Sequence, residues 1–291
     1  MEGTGHRNVA RDIDRRKSTV GTMAGEEVVK SPALVSVTRL FREFSLTPFK
    51  ILRYNELSED DSDRRLEFCE IWHKKLESDP QFHQKVIWSG EAKFHVGTNY
   101  GFVRTHNCEF TSEPGLVDTA ENPVNSPGVN VFAAFWQEDL IGPVFIDDSL
   151  TADNYLEILN TTVFPYIVSL HSSQMIAKEL FFQHDGDPLH FGTQVRESLN
   201  ENMPDRWIGR RGTIDWPPRS PDLTPIDYFL WIYMKNKVYK RKFRKMEELK
   251  SRIKEEFESL RSNKPMLKRI AASINIRVSD CIKQNGEKVE I

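Results

Sequence analysis

One short run does most to limit how this chain can fold. Leu180-Phe181-Phe182-Gln183 reads as a buried strand, and it leads directly into His184-Asp185-Gly186-Asp187. A carboxylate at the C-terminal end of such a strand lies at the sheet edge where α/β sites form. Gly186 lets the backbone turn sharply and a ligand come close. Asp185 equally suits a turn in which its side chain bonds its own backbone, so the local pattern leaves both readings open. A second carboxylate, Asp227, stands in the proline-rich run Trp216–Tyr228. There Thr224 suits a helix N-cap, Pro225 the first helical position and Asp227 the reciprocal place three residues after the cap. Capping is worth roughly 1 kcal/mol and would account for Asp227 without any chemistry. Two carboxylates far apart in sequence are also what a divalent-metal phosphoryl-transfer site needs.

The rest of the chain supplies a sheet and helices to hold those residues. Residues 1–33 contain no aromatic residue and are expected to be disordered. Over 34–60, Val37, Leu40, Phe41 and Phe44 lie at helical spacing and suggest a remnant of a helix-turn-helix region. Asp61–Asp79 reads as an amphipathic helix with Leu66, Cys69, Trp72, His73 and Leu76 on its apolar face. Lys85–Trp88 and Lys93–Val96 are predicted strands, broken at Ser89-Gly90-Glu91, and Tyr100–Arg104 is another. Residues 111–128 read as a long loop. Val129–Trp136 and Ile141–Ile146 form a predicted hairpin, followed by a helix from Ala152 toward Leu170. Thr193–Asn202 is a helix, and Trp207–Ile214 leads into a further strand. The last third is helical, with Leu249, Ile253, Phe257 and Leu260, then Leu267, Ile270, Ile274, Val278 and Cys281, on apolar faces and Gly286 as a stop. Strands first and alternating elements later predict a mixed sheet covered by helices, an α/β class, over 61–291.

At 291 residues and 38% hydrophobic, the chain is long enough for one large domain with a real core. Its net charge of −3 gives no global field that attracts nucleic acid, so a DNA-binding role needs a local basic patch. Lys235, Lys237, Lys240, Arg241, Lys242, Arg244 and Lys245 provide one: seven cations in eleven positions with no acid. The run reads as a phosphate-contacting surface or as a solvated helix face. Cys69, Cys108 and Cys281 form no CxxC pair, which argues against a disulfide framework or zinc ribbon and fits a reducing compartment, nuclear or cytoplasmic. No signal core or membrane-length apolar run is present. His184 and His190 lie near Asp185, where packing or hydrogen bonding explains them more simply than a transition metal. No phosphate-binding glycine loop or small-molecule cofactor fingerprint occurs.

Several segments together resemble the catalytic domain of Tc1/mariner-family transposases. They are Phe182-Gln183-His184-Asp185-Gly186 with His190, Arg206 through Gly212, and Trp216 through Trp231. Arg64–Cys69, Ser89–His95, Arg104–Cys108, Ser126–Val129 and Lys237-Val238-Tyr239 extend the likeness from about residue 45 to the C-terminus. The resemblance implies an RNase H-like fold in which three carboxylates hold two Mg²⁺ ions for strand cleavage and transfer during DNA transposition and integration. Asp185 matches the second family acid and Asp227 the third. The first belongs to a motif that reads Ser-Asp-Glu-Ala in the family and here reads Ser89-Gly90-Glu91-Ala92.

Gly90 therefore removes one metal ligand, and Glu91 is expected to point to the opposite face of its strand. Mg²⁺ demands near-ideal octahedral oxygen geometry, so the loss predicts impaired metal binding and absent catalysis. The expected function is that of a transposase-derived protein binding DNA non-specifically, with no membrane partner and no small-molecule substrate. A residual Mg²⁺- or Mn²⁺-dependent DNA nickase and a partner-binding protein without a DNA role are the alternatives. Family members act as dimers, but the helix-turn-helix region that helps pair them is largely missing here, which leaves dimerisation open. Asp187 stands where the family has a small residue and adds a negative charge beside Asp185.

Overall fold

In the computed structural model, side chains are described for residues 57–96, 127–147, 149–170, 179–241 and 243–289, with backbone strands at 52–53, 102–105 and 108–111. These residues lie in one compact unit, Lys50–Ile291. The readings of residues 1–33, of most of 34–60 and of most of the 111–128 loop fall outside the described residues.

Nine strands are described. A small sheet has the order β1-β4-β3, from β1 (Leu52–Arg53), β3 (Phe102–Thr105) and β4 (Cys108–Thr111). Leu52 and Arg53 thus pair with a strand, where the sequence suggested the end of a helical remnant. The main sheet contains β2 (Val86–His95), β5 (Gly128–Trp136), β6 (Asp139–Ile146), β7 (Phe181–Gln183), β8 (Trp207–Gly209) and β9 (Ile214–Asp215). Its order is β6-β5-β2-β7-β8-β9. β6, β5 and β2 run antiparallel, and β2, β7, β8 and β9 run parallel. The mixed sheet, the hairpin and the helix at Thr193–Asn202 agree with the sequence expectation.

One correction falls at the centre. The predicted break at Ser89-Gly90-Glu91 is absent, and β2 runs unbroken with Gly90 opposite Ala133. Pairing overrides the weak strand propensity of Ser and Gly here. β2 has β5 on one side, paired along Trp88–His95, and β7 on the other, paired along Val86–Trp88.

Helices cover both faces. Along β2, Trp88, Ala92 and Phe94 face one core and Ile87 faces the other, as the two-residue period requires. The first core gathers α1 (Asp61–Ser78), α5 (Ile232–Val238), α6 (Met246–Arg261) and α7 (Lys264–Lys283) around Trp72, Trp88, Trp231 and Phe257. The second packs α2 (Ala152–Ile158), α3 (Phe164–Ser169) and α4 (Thr193–Asn202) on Phe132, Phe182 and Trp207. A π-helical turn, Leu159–Val163, joins α2 to α3. Thr151 and Asn154 form a reciprocal capping box that starts α2.

The buried face of α1 differs from the apolar stripe read from the sequence. Arg65 and Phe68 are fully buried, whereas His73 is exposed. Arg65 can be buried because Asp222 is buried with it, at 0% exposure on both sides. The pair is bidentate, with Nη1–Oδ1 at 2.8 Å and Nη2–Oδ2 at 2.6 Å. Arg65 also donates to Ser220 Oγ and to the carbonyls of Gly286 and Glu287. Asp222 also accepts the Val289 N–H, so it is a buried ion-pair partner that ties down the C-terminal segment. α7 ends as expected near Gly286, at φ +83°, whose N–H donates to the Cys281 carbonyl as in a left-handed helix stop.

Removing one buried partner strands the other's charge, which typically costs about 3–5 kcal/mol. Arg65→Met and Asp222→Asn are each expected to destabilise the fold by about that amount. The double variant is expected to be less destabilised than the sum of the two singles. Chemical denaturation of the three proteins measures this, and strict additivity would refute the coupling.

Candidate active site

A cleft of about 570 Å³ opens where the C-terminal ends of the parallel strands meet the 216–227 loop. Asp185 and Asp227 both line it, with Asp187, Asp215, Arg210 and Trp216. The fold therefore brings together the two acids singled out in the sequence, although 42 positions separate them.

Asp185 sits two residues past β7, with its side chain 22% exposed. Its Oδ1 accepts the Asp187 N–H at 3.0 Å, which is the turn bond anticipated for it. The same oxygen lies 2.7 Å from His190 Nδ1. Asp187 has a local task of its own: Oδ1 accepts the Leu189 N–H and so caps the 3-10 turn Pro188–Phe191.

Asp227 is the second residue of a π-helical segment, Ile226–Trp231, that runs into α5. Thr224 starts that segment. Its Oγ1 accepts the Ile226 N–H at 3.3 Å, and its carbonyl accepts from Asp227 and Tyr228. Single π turns inside helices are frequent at functional sites because they re-aim the side chains that follow.

The first-acid position completes the geometry. A side chain at Gly90 would leave the sheet toward Asp227's neighbour, since a Cβ there would stand 2.8 Å from Ile226 Cγ2 and 3.7 Å from Trp231 Nε1. The space that a third carboxylate needs is filled by an isoleucine methyl. Glu91 leaves from the other face, as strand alternation predicts. Its Oε2 meets His190 Nε2 at 3.4 Å, so Glu91 reaches Asp185 only through the imidazole. Among the described residues, no group of three or more His, Cys, Asp or Glu side chains is placed to hold a metal ion. With no carboxylate at residue 90, the donor set does not fit a two-ion carboxylate centre.

His190 and His184 are packed groups, the reading the sequence favoured over metal ligation. Their rings stack at 5.0 Å and 10°, and Tyr155 Oη lies 3.0 Å from His184 Nδ1. Burial holds His184 well below the usual histidine range, and the charge of His190 adds to this. For His190 burial opposes the charge, but Glu91 and Asp185 outweigh it and hold the imidazole well above its usual range. Both of its contacts are ion-pair contacts and not linear hydrogen bonds.

The basic run is dispersed by the fold. Lys235 is 3% exposed, with its ammonium 5.7 Å from the centre of the Phe94 ring, so it is directed into the protein and not at a ligand. Lys237 lies over Tyr233. Lys240, Arg241, Arg244 and Lys245 are exposed around the link between α5 and α6, and Lys242 lies outside the described residues. The surface is therefore a helix end and a loop, not one helix face.

The raised His190 fixes a pH dependence. Its stabilising contribution is fully present below the unfolded value of about 6.5 and is lost as pH rises toward the higher folded value. His190→Gln is therefore expected to lose more stability at pH 6 than at pH 9, measured by denaturant unfolding at each pH. An equal loss at both would contradict the ion-pair assignment.

No protein-family profile matches the chain. The Tc3 transposase of Caenorhabditis elegans is 26% identical over 211 residues, covering 70% of this chain and 57% of the relative. The Tcb2 transposase of Caenorhabditis briggsae is 32% identical over 157 residues, 52% and 51% respectively. The chain spans about half the length of the curated relatives it matches. Among solved structures, the Mos1 transposase catalytic domain with raltegravir and Mn superposes with a TM-score of 0.61 at 19% identity, over 81% of this chain and 100% of that one. The Mos1 mariner paired-end complex with Mn gives a TM-score of 0.64 at 17% identity, over 99% and 90%. The fold is the RNase H-like one of the Mos1 catalytic domain. On sequence and fold together, the chain is a Tc1/mariner transposase-like protein.

Proposed function

We propose that this protein is a transposase-derived DNA-binding protein, related to DNA transposition and integration, that lacks two-metal strand cleavage. The observation that carries the reading is the Gly90 position. The fold still brings Asp185 and Asp227 to one cleft, but the side-chain space at residue 90 is occupied by Ile226. Two carboxylates leave two divalent ions with too few anionic oxygens, because Mg²⁺ is exacting in geometry. At most they would hold one ion, weakly.

DNA binding is supported by similarity to transposases and by cations exposed around the α5–α6 link. Phosphate contacts of this sort give affinity without sequence preference. The nickase alternative gains nothing from Glu91, which is turned to His190 on the opposite face. Among the described residues, no helix is long and apolar enough to cross a membrane.

A cleavage assay on supercoiled plasmid tests the proposal. The wild-type chain is expected to leave the DNA uncut with Mg²⁺ or Mn²⁺. Gly90→Asp is expected to gain cleavage and to lose about 1–3 kcal/mol of stability, because its Cβ overpacks against Ile226. Metal-dependent cutting by the wild-type chain would overturn the reading.

A further inference from the structure

We propose that Arg196, Arg210 and Arg211 form a binding site for a backbone phosphate of the DNA strand that enters the Asp185–Asp227 cleft. The inference rests on the DNA-binding reading above and assigns residues that hold the strand beside the two acids. These arginines stand apart from the 235–245 run.

Arginines from two separate segments converge on a ring carried by a third. Phe191 ends the turn that follows Asp185, Arg196 comes from α4, and Arg210 and Arg211 follow β8. Each guanidinium carbon lies 4.8 Å from the centre of the Phe191 ring. Any two of them are therefore no further apart than twice that distance. Arg210 also lines the cleft with Asp185 and Asp227, which places the cluster at its rim. Arg210 and Arg211 are exposed, and Arg196 and Phe191 are half-buried.

Like charges held this close repel unless something compensates. Among the described residues, none of the three guanidinium groups has a carboxylate within ion-pair distance. The nearby Asp215 is engaged elsewhere, since its Oδ1 accepts the backbone N–H of Arg211 at 2.6 Å. That bond accompanies Arg211 in the left-handed region at φ +59°, a conformation disfavoured for a residue with a side chain. The ring face attracts each exposed cation only weakly and carries no net charge, so it does not act as a counter-ion. What remains is a local positive field.

An oxyanion with several acceptor oxygens fits that field. Guanidinium groups pair with phosphate through two parallel hydrogen bonds, and three of them around one point suit a tetrahedral anion. The neighbourhood favours a phosphate belonging to a strand. The cleft walls carry Asp185, Asp187, Asp215 and Asp227, which repel a polyanion, so a strand lying there has to be held from the rim. Arg219, another cation of the cleft, is already paired with Asp61.

The test uses the full chain, a labelled single-stranded DNA oligonucleotide and 4-fluorophenylalanine placed at position 191. The triple variant R196Q/R210Q/R211Q is expected to bind about tenfold more weakly at low salt. Its plot of log affinity against log salt is expected to be shallower by about 0.7 for each phosphate that is no longer neutralised. The fluorine signal at 191 is expected to shift when DNA is added to the otherwise wild-type chain and to stay still in the triple variant. If the triple variant unfolds, R210Q alone, at an exposed position, is expected to blunt both readouts. A wild-type chain that binds DNA with an unmoved fluorine signal, and variants with an unchanged salt slope, overturn this site alone. A wild-type chain that binds no DNA at low salt overturns both this site and the DNA-binding reading.

Discussion

The pairing of Arg65 with Asp222 is the constraint on which the cleft depends. It joins α1, the loop that carries Ser220 and Asp222, and the chain end at Gly286–Val289 in one buried knot. A buried ion pair adds little net stability over an apolar pair of the same shape, but it tolerates only one arrangement of its donors. Every polar edge of the guanidinium has an acceptor, so the loop cannot slide without leaving a buried charge unmet. Arg277 adds a bond to the Asp222 carbonyl, and Arg219 pairs with Asp61 at the start of α1. Asp227, five residues beyond Asp222, inherits its place from this anchor.

From that anchor the site is built outward by backbone devices. Thr224 starts the π-helical segment, and the segment turns Asp227 into the cleft beside Asp185. On the sheet side, β7 delivers Asp185 and the following turn delivers His190. Residue 90 carries no side chain, and Ile226 packs against the sheet there: a Cβ at 90 would stand 2.8 Å from its Cγ2. Packed interiors admit little spare volume, so any side chain at 90 requires Ile226 to shift.

Much of this was legible in the sequence, for reasons that differ by residue. The hairpin, α4 and the terminal helices were readable because their apolar periods are regular: Leu249, Ile253, Phe257 and Leu260 are all buried. Asp185 and Asp227 stood out through strand-end and helix-start chemistry, and the cleft contains both. Arg65 was missed because a buried cation gives no apolar signal, and its partner lies 157 positions away. β2 reads as two strands in the sequence because Ser89 and Gly90 are poor strand formers in isolation, while their pairing with Ala134 and Ala133 of β5 is a tertiary effect. Lys235 looked like part of a surface run because charge alone does not reveal which side of a helix faces Phe94. The arginines around Phe191 were invisible for the same reason, since only the fold brings 196, 210 and 211 to one ring.

The central claim is a retained DNA surface beside an acid pair that no longer supports two-metal chemistry. A DNA-binding titration of the wild-type chain at two salt concentrations, with and without Mg²⁺, tests it most directly. The account predicts affinity that falls steeply with salt and does not respond to Mg²⁺ beyond its contribution to ionic strength. Binding that Mg²⁺ specifically strengthens, or no binding even at low salt, would contradict it.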